Sequence, residues 1–439
     1  MTTAPQIPQE QIPQEGSCDC PAPGDGPARR TVLRAAAATG ALGLVTAAVS
    51  ETVTARYAFG ATGYTGDTLV VLSLRGGFDG LNAIVPAGDP GYLRLRPTIG
   101  LPAGSLQPLD QTFGLHPALA PLLPLWRAGT LGAVHAVGQE EPSRSHFTAM
   151  AELERAAPGT SLRTGWLDRT VGLRAPAGVF QASVVGSTSP TGALAGPGPE
   201  LTMDSIDGFE LSGAWDDHER TAWTRALERM HAGAPAAVRQ AASGALQAVR
   251  TTRALRAAPH APEHGALYPK DSGLATALHD VARLVKAGVG LQVACVDFGD
   301  WDMHVDMGGP TSGHLHDHLD ELARSLLAFA TDLGPRLDGV TLVTLSEFGR
   351  RVQENGSGGA DHGHGNAVLL LGGGVAGGKV HGRWPGLSDA ALVGGDLAGT
   401  TDYRQILAEV LTGRCGLASP RDVFPGLVPA PLGVVRPRS

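Results

Sequence analysis

The segment SEFGRRVQENGSGGADHGHGN, residues 346–366, gathers acidic and imidazole side chains among glycines. Glu347 stands near its start, and Asp361, His362 and His364 stand near its end. Carboxylates and imidazoles without thiolates suit Zn²⁺, Mn²⁺ or Mg²⁺, with Ca²⁺ as a further candidate. Polar groups in a glycine-rich loop directly before an apolar strand have no packing role there. The segment therefore predicts a site for a divalent metal or an anion.

Buried strands alternate with helices along the chain, which is the pattern of an α/β fold. Between residues 291 and 346 a strand, a helix and a strand follow one another, and such a unit pairs its strands in parallel. We therefore predict a doubly wound, mostly parallel sheet with helices on both faces. The predicted strands cover 68–74, 131–137, 291–298, 339–346 and a run from 367, and the predicted helices cover 146–157, 217–257 with a break near 231–235, 274–287, 314–333 and 402–413.

Further polar residues follow the predicted strands at their carboxyl ends, where ligands bind in open α/β sheets. Seven side chains are then candidate metal ligands, more than one tetrahedral site uses, so two ions fit better. Two ions would activate a hydroxyl or water for in-line displacement at phosphorus or sulfur. Ser145, at a helix start, is the candidate nucleophile, and Arg144 could hold the anion through a bidentate contact. The metal candidates are Asp79, Asp302, His304, Glu347, Asp361, His362 and His364.

Each of these residues also has a structural interpretation. Asp79 could close a turn by accepting a hydrogen bond from nearby backbone, and Ser145 could cap a helix, the commoner fate of serine there. Asp300 and His304 also form a D-x-x-x-H pair, which is an alternative to the D-x-H pair of Asp302 and His304. The three histidines of HLHDHLDEL, residues 314–322, are typical of a solvated helix face or of groups behind the ligands.

The first 58 residues carry a targeting pattern. Residues 1–28 are rich in Pro, Gln and Gly without an apolar period, which indicates a disordered leader. Arg29 and Arg30 then precede a weakly hydrophobic run, and we predict a twin-arginine signal peptide over 29–58. An ordinary Ala-rich helix is the alternative. The signal predicts export by the twin-arginine translocase to the periplasm, the cell envelope or the medium.

The remaining chain is expected to form one large folded body. With 439 residues, 42% of them hydrophobic, the chain can bury a sizeable core. We predict a single α/β domain over 67–439, in which 217–257 is either a helical cap over the site or part of one face. A formal net charge of −8 and a pI near 6.0 argue against a nucleic-acid partner. Cys295 and Cys415 are expected to be separate buried thiols.

Several motifs together resemble the exported bacterial family called domain of unknown function 1501. They are LVVLSLRGGFDGLNAIVP, SRSHF, GDWDMH, the stretch from LSEFGR to KVHG, and TTDYRQILAEVL, and the resemblance runs from about Asp67 to Gly413. The family is in turn similar to the superfamily of alkaline phosphatases, sulfatases and cofactor-independent phosphoglycerate mutases. This similarity implies an alkaline-phosphatase-like fold with a two-metal site, whereas the family itself names no substrate.

The resemblance also implies roles for single residues. Asp79 would match a metal-binding aspartate after the first strand, and Ser145 would match the nucleophile. Asp302 and His304 would match an Asp and His pair on one metal. The segment EPSRSHF lacks the C/S-x-P-x-R motif that sulfatases need for formylglycine formation, which disfavours sulfatase activity of that type.

The segment SEFG departs from the superfamily pattern, which has an Asp-His pair at this place. Glu347 could still bind a metal, but Phe348 cannot. Asp361 or His362 would then supply the lost ligand from the following loop. His364 would match the late histidine of the other metal site.

These observations together predict an exported metal-dependent hydrolase that acts on a small anionic ester, a phosphate or a sulfate. The alternative is a non-catalytic exported protein that keeps the fold and binds a metal or another ligand in the cell envelope. The phenylalanine at position 348 favours this alternative. In a third possibility the metal serves folding alone.

Overall fold

The computed structural model describes residue 64, residues 66–211, residue 213 and residues 216–438, and the structural statements below concern these residues. The apolar run TLVVLSL forms the central strand, β1 (Thr68–Leu74). Leu69 and Val71 pack on one face of the sheet, whereas Val70 and Leu72 pack on the other. Because both faces are covered, the strand is continuously hydrophobic rather than alternating.

Nine strands of the described residues pair into one large sheet, and three short ones form a second sheet in the order β2-β4-β3. The order of the large sheet is β11-β5-β10-β9-β1-β8-β6-β7, and β12 also pairs with β5. The remaining strands are β2 (Ile84–Val85), β3 (Gln107–Pro108), β4 (Gly114–Leu115), β5 (Leu131–Gly138), β6 (Ala182–Val185), β7 (Leu201–Met203), β8 (Val293–Phe298), β9 (Val340–Leu345), β10 (Asn366–Gly372), β11 (Val380–His381) and β12 (Thr401–Asp402).

Most strand pairs of the large sheet are parallel. Strand β1 runs parallel to β8 and β9, and β6 runs parallel to β7 and β8. Strand β10 is the exception, since it is antiparallel to both of its neighbours, β5 and β9. Strand β5 therefore runs in the same direction as β9. The predicted α/β class with a mostly parallel sheet is confirmed.

Helices cover both faces of this sheet, as predicted. The long helices at 273–287 and 314–333 pack on one face, and the helices at 146–155, 166–172 and 403–413 pack on the other. The α-helices are α1 (Gly80–Ala83), α2 (Gly91–Leu95), α3 (Leu123–Arg127), α4 (His146–Arg155), α5 (Trp166–Gly172), α6 (Asp217–His231), α7 (Ala236–Ala257), α8 (Gly273–Ala287), α9 (His314–Leu333) and α10 (Tyr403–Gly413). Short 3₁₀ helices span Ala103–Ser105, Pro117–Leu122, Gly192–Leu194 and Gly334–Gly339.

The stretch 217–257 consists of helices α6 and α7, which are separated near Pro235. The hydroxyl of Thr252 donates to the carbonyl of Phe209, and Arg256 donates to the carbonyl of Asp207. Both carbonyls follow β7, the last strand of the sheet order. The helical pair is thus attached beyond that edge strand.

The predicted leader at 1–28 and the predicted signal peptide at 29–58 lie outside the described residues. Within the described part of the chain, no helix has the length and hydropathy that crossing a bilayer requires. Cys295 and Cys415 are both buried and free, as expected.

Candidate functional site

Connections after four strands meet at one edge of the sheet. Because β1, β5, β8 and β9 run in the same direction, their carboxyl ends lie together. Strand β10 runs the opposite way, so its amino end lies at this edge too. The connection from β9 to β10, residues 346–365, therefore starts and finishes at the edge where the other polar segments emerge.

The segment after β8 presents Asp302 and His304 through an alternation of buried and exposed residues. Trp301 and Met303 are buried, and the Trp301 ring packs edge-on against Phe78 with ring centroids 5.0 Å apart. By contrast, 47% of the Asp302 side chain and 38% of the His304 side chain are exposed. Asp302 and His304 consequently face the same way, out of the core.

The connection from β9 to β10 folds back on itself. Arg350 and His362 form an antiparallel bridge, and the amide of Arg351 donates to the carbonyl of Asp361 over 2.8 Å. The added Cβ of any other residue at Gly363 would lie 2.5 Å from the carbonyl carbon of Arg350, so this close approach requires glycine. The glycines of the loop thus allow a tight backbone pairing that holds Asp361 and His362 in place.

Three imidazoles and one carboxylate converge at this edge, and we call His146, Asp302, His304 and His362 the His/Asp cluster. His362 Nε2 lies 3.1 Å from His146 Nε2 and 2.9 Å from His304 Nε2. Asp302 Oδ1 lies 3.0 Å from His304 Nε2 and 3.1 Å from His362 Nε2. The other carboxylate oxygen of Asp302 lies 3.5 Å from His146 Nε2.

The second nitrogen of each imidazole has an acceptor of its own. His146 Nδ1 lies 2.8 Å from Glu347 Oε1, and His304 Nδ1 lies 2.9 Å from Asp361 Oδ1. His362 Nδ1 lies 2.8 Å from the carbonyl oxygen of Arg144. Since these oxygens only accept, the network assigns the ring proton to Nδ1 in all three histidines. Their Nε2 lone pairs are then left to face one another.

This arrangement fits a bound metal ion. Ligands of a tetrahedral zinc ion stand about 3.3 Å apart, given Zn–N distances near 2.0–2.1 Å. The five distances given above for the His/Asp cluster run from 2.9 to 3.5 Å, and His146, Asp302 and His362 are the three residues whose ligand atoms all lie within 4.8 Å of one another. Histidines that bind metals typically donate their other N–H to a carboxylate or a backbone carbonyl, as these three do. Without a cation or an extra proton between them, the converging lone pairs would repel one another.

A buried guanidinium ties three connections together. Arg350 donates to the carbonyls of Gly76 and Gly77 after β1, to Trp301 after β8 and to Ala360 in the β9–β10 connection. It also donates to Asp302 Oδ1 over 2.7 Å, which orients that carboxylate. No role was predicted for Arg350 from the sequence, because nothing in the sequence indicates that an arginine in a glycine-rich loop is buried.

A glycine lets the connection after β1 approach the cluster. Gly76 has a φ of +117°, and an added Cβ would lie 2.7 Å from the amide nitrogen of Asp302. The amide of Gly76 donates to Glu347 Oε1 over 2.8 Å. The same carboxylate oxygen accepts from His146, so Gly76 helps to fix the histidine through Glu347.

Two carboxylates of the site stay ionised at neutral pH. Partial burial acts to raise the pKa of Asp302, but the hydrogen bond from the Arg350 guanidinium and the contact with His362 outweigh it and lower the pKa to about 2. Hydrogen bonds from His304 and Asn355 lower the pKa of Asp361. Ionised carboxylates beside the imidazoles provide the charge that a divalent cation requires.

Two residues of the segment SEFG, Glu347 and Phe348, contact imidazoles of the cluster from its buried side. Glu347 is buried and accepts from His146, so its carboxylate lies behind an imidazole. The ring of Phe348 is buried and packs against His146 and His362, with centroid distances of 4.9 and 4.6 Å. Position 348 therefore contributes an apolar surface beneath two imidazoles.

Other residues from the sequence-based site lie apart from the cluster. Asp79 is buried, accepts from the amide of Leu81 and pairs with Arg96 at 2.6 Å. His364 Nε2 lies 3.1 Å from the carbonyl oxygen of Gln139. In the described part of the chain, no hydrogen bond or ion pair joins Asp79 or His364 to the cluster.

Ser145 and Arg144 stand directly before His146. The Ser145 hydroxyl is exposed and caps helix α4 by accepting from the amide of Thr148. The guanidinium of Arg144 pairs with Asp396 at 2.5 Å and remains half exposed. Both therefore have structural contacts of their own at the rim of the site.

His146 joins the site although it was absent from the predicted ligands. It is the first residue of helix α4, and its ring reaches both Glu347 and His362. The sequence held a usable signal, because SRSHF follows a buried strand at the edge where the other polar segments gather. A single histidine at the amino end of a helix forms no spacing pattern with other ligands. The functional role in this segment was therefore predicted for Ser145.

The fold and the cluster define an α/β protein with imidazoles and carboxylates gathered at the carboxyl edge of a mostly parallel sheet. The chain belongs to the family described as "Protein of unknown function (DUF1501)", whose model matches residues 67–404. This confirms the family resemblance seen in the motifs. No curated protein matches the chain.

Proposed function

We propose that this protein is an exported, metal-dependent hydrolase of phosphate or sulfate esters. The observation that carries the proposal is the convergence of three Nε2 atoms on Asp302, with every Nδ1 proton donated elsewhere. His146, Asp302 and His362 offer ligand atoms that all lie within 4.8 Å of one another. His304 touches two of these three residues and is the fourth candidate ligand.

The chain's own residues would hold and orient the ion. The Asp302 carboxylate supplies negative charge, and Glu347, Asp361 and the carbonyl of Arg144 accept from Nδ1 and so orient the three Nε2 atoms toward the ion. When bound, a divalent ion would act as a Lewis acid and lower the pKa of a water molecule. The Asp302 side chain is 47% exposed, so an ester could reach the cluster from solvent.

Arg144 is the proposed contact for the anionic group. Its carbonyl accepts from His362, and its side chain lies half exposed beside Asp396. Zinc is the preferred ion, since three imidazoles and one carboxylate suit it, with manganese and magnesium as alternatives. The four cluster residues suffice for one ion, and a second ion that would involve Asp79 or His364 stays a prediction, as does the Ser145 nucleophile.

The proposal also includes an alkaline-phosphatase-like fold and export from the cytoplasm. A mostly parallel sheet with helices on both faces and a site at its carboxyl edge supports an alkaline-phosphatase-like arrangement. The pair Arg29 and Arg30 before a weakly hydrophobic run supports export through the twin-arginine translocase. Export would carry the protein to the periplasm, the cell envelope or the medium.

The test is the metal content of the purified full chain by mass spectrometry, with Asp302→Ala, His362→Ala and His364→Ala variants alongside. We expect one zinc equivalent that is lost in the first two variants and kept in the third. Loss in all three would favour a larger binuclear centre. A wild-type chain that takes up no divalent ion even after incubation with zinc would overturn the proposal.

The alternative is a non-catalytic protein that binds a metal in the cell envelope. It is favoured by Phe348, whose ring fills the place beneath two imidazoles where a further ligand would stand. Hydrolysis of 4-nitrophenyl phosphate and 4-nitrophenyl sulfate distinguishes the two. Turnover that disappears in Asp302→Ala supports the hydrolase, whereas full zinc occupancy without turnover of any ester supports the binding role.

A further inference from the structure

A second feature lies next to the His/Asp cluster. An open cleft with a volume of about 500 Å³ shares His146 and Glu347 with the site. Its other walls come from the segments after β1 and β8 and from one side of helix α4. A volume of this size suits an organic group rather than a few water molecules.

The helix α4 wall of the cleft is apolar between His146 and Glu154. Phe147, Met150 and Ala151 line it, and they recur at the i, i+3 and i+4 spacing that places side chains on one helix side. The opposite side of the helix packs into the core through Ala149 and Leu153. Met150 also packs against that core, whereas Phe147 and Ala151 are exposed and add apolar surface on the cleft side.

Phe147 is the outstanding member of this wall. It is 90% exposed and is the one aromatic residue among the exposed large hydrophobic side chains of the described chain. It also directly follows His146, which belongs to the cluster. An exposed aromatic ring beside a polar site is typical of a surface that binds an organic ligand.

The charged end of the cleft carries a net negative charge, because Arg75 is its one cation and Asp300 also lines it. Arg75 pairs with Glu154 at 3.2 Å and with Asp297 at 2.8 Å, so two carboxylates share one guanidinium. This end offers no unpaired positive charge to an anion. The anionic part of an ester would therefore go to the cluster, and the cleft would receive the uncharged part.

We infer that the cleft is a subsite for the alcohol portion of the ester and that it selects aromatic or other apolar alcohols. This inference rests on the proposed function, since the cluster must hold the anion. Phe147 is then a specificity-determining residue, because its ring would be covered by the bound group. Burial of apolar area favours binding in proportion to the area removed from water.

The test compares two stable probes, benzylphosphonate and methylphosphonate, by isothermal titration calorimetry on the zinc-loaded full chain. We expect benzylphosphonate to bind at least roughly tenfold more tightly, as burial of a phenyl group implies. In Phe147→Ala the ratio of the two affinities should fall toward one, and in Phe147→Leu it should be intermediate. Leu267→Ala removes another highly exposed apolar side chain, outside the cleft lining, and should leave the ratio unchanged.

The outcomes separate the two proposals. Equal affinity of the two probes, or an unchanged ratio in Phe147→Ala, would overturn the cleft inference and leave the hydrolase proposal standing. If neither phosphonate binds to the zinc-loaded chain, the cluster does not hold anions, and both proposals fall. Circular dichroism of each variant shows that a changed ratio does not come from misfolding.

Discussion

The Nε2 atoms of His304 and His362 lie 2.9 Å apart, although each ring donates its Nδ1 proton to a different acceptor. Two neutral imidazoles in this arrangement have no proton to share between them. A positive species between the rings would remove the repulsion, and Asp302 at 3.0 and 3.1 Å from the same two atoms adds a negative charge. A zinc ion bound between the rings would be such a species.

Zinc should stabilise the folded protein, and chelation should reverse the effect. Binding to the native state alone adds about 2.7 kcal/mol when free metal is at 100 times its Kd. We expect the thermal midpoint to rise with zinc in the wild type and to fall with EDTA. In His362→Ala both shifts should vanish. Scanning calorimetry checks this, and an equal zinc shift in the variant would place the ion elsewhere.

Glu347→Gln should weaken metal binding without removing a direct ligand of the cluster. The carboxylate holds the Nδ1 proton of His146, and loss of such a partner typically costs 10–100-fold in metal affinity. Competition with a chromophoric chelator measures the change. Glu354→Gln is the matched control, since Glu354 accepts from Thr98 and Ile99 and does not touch the cluster. Unchanged affinity in Glu347→Gln would contradict the assigned tautomer of His146.

Arg350→Met should lower the free energy of unfolding by about 3–5 kcal/mol, because several carbonyl groups would lose their donor at a cost of about 1 kcal/mol or more each. The guanidinium is fully buried and bonded to three separate connections. Urea denaturation measures the loss. Arg350→Lys keeps the charge but only part of the donor set and should lie between. A loss below 1 kcal/mol in Arg350→Met would show that the connections hold without this residue.

Asp79 provides a test of structural against metal-binding carboxylates. It pairs with Arg96 at 2.6 Å, and both side chains are nearly inaccessible. Removal of one partner from a buried ion pair typically costs 3–5 kcal/mol. Arg96→Met should therefore destabilise the fold by about that amount, and Asp79→Asn should also destabilise it while zinc stoichiometry stays the same. If Asp79→Asn lost a metal ion at unchanged stability, Asp79 would belong to a metal site.

The stability of the metal-free protein should fall as the pH is lowered from about 6.5 to about 4. Burial lowers the pKa of His116 and His135 to about 4, whereas the unfolded chain has a value near 6.5. In this window the unfolded state binds more protons, so protonation favours unfolding by up to about 3 kcal/mol per histidine. Urea midpoints in EDTA at pH 7.5, 5.5 and 4.5 measure the effect. A His135→Gln variant should show a shallower dependence, and a flat wild-type profile would contradict the prediction.

Much of the fold was predictable, because buried strands and amphipathic helices leave strong patterns. The boundaries of β1 and β9 and of helix α9 agree with the sequence to within a residue or so. The direction of β10 was not predictable, since an apolar run such as AVLLLG is the same in parallel and antiparallel pairs. Periodicity reports which residues are buried, and only the pairing partners determine direction.

The candidate site was predictable in part for a related reason. The segment GDWDMH follows a predicted strand at its carboxyl end, so Asp302 and His304 could be named from the sequence. The contact of His146 with His362 joins residues that are 216 positions apart. The buried arginine at position 350 bonds to backbone carbonyls. Neither kind of contact leaves a spacing pattern in one sequence.

Those long separations have a consequence for the order of folding. His146 and His362 are 216 residues apart, and Gly76 and Glu347, which meet at the same place, are 271 apart. Contacts between distant parts of a chain form slowly, because the entropy of closing a large loop must be overcome first. We therefore expect the four side chains of the His/Asp cluster to come together only after strands β1 to β10 have assembled into the sheet. We expect zinc to slow unfolding far more than it speeds folding, so that its influence appears in the lifetime of the native protein.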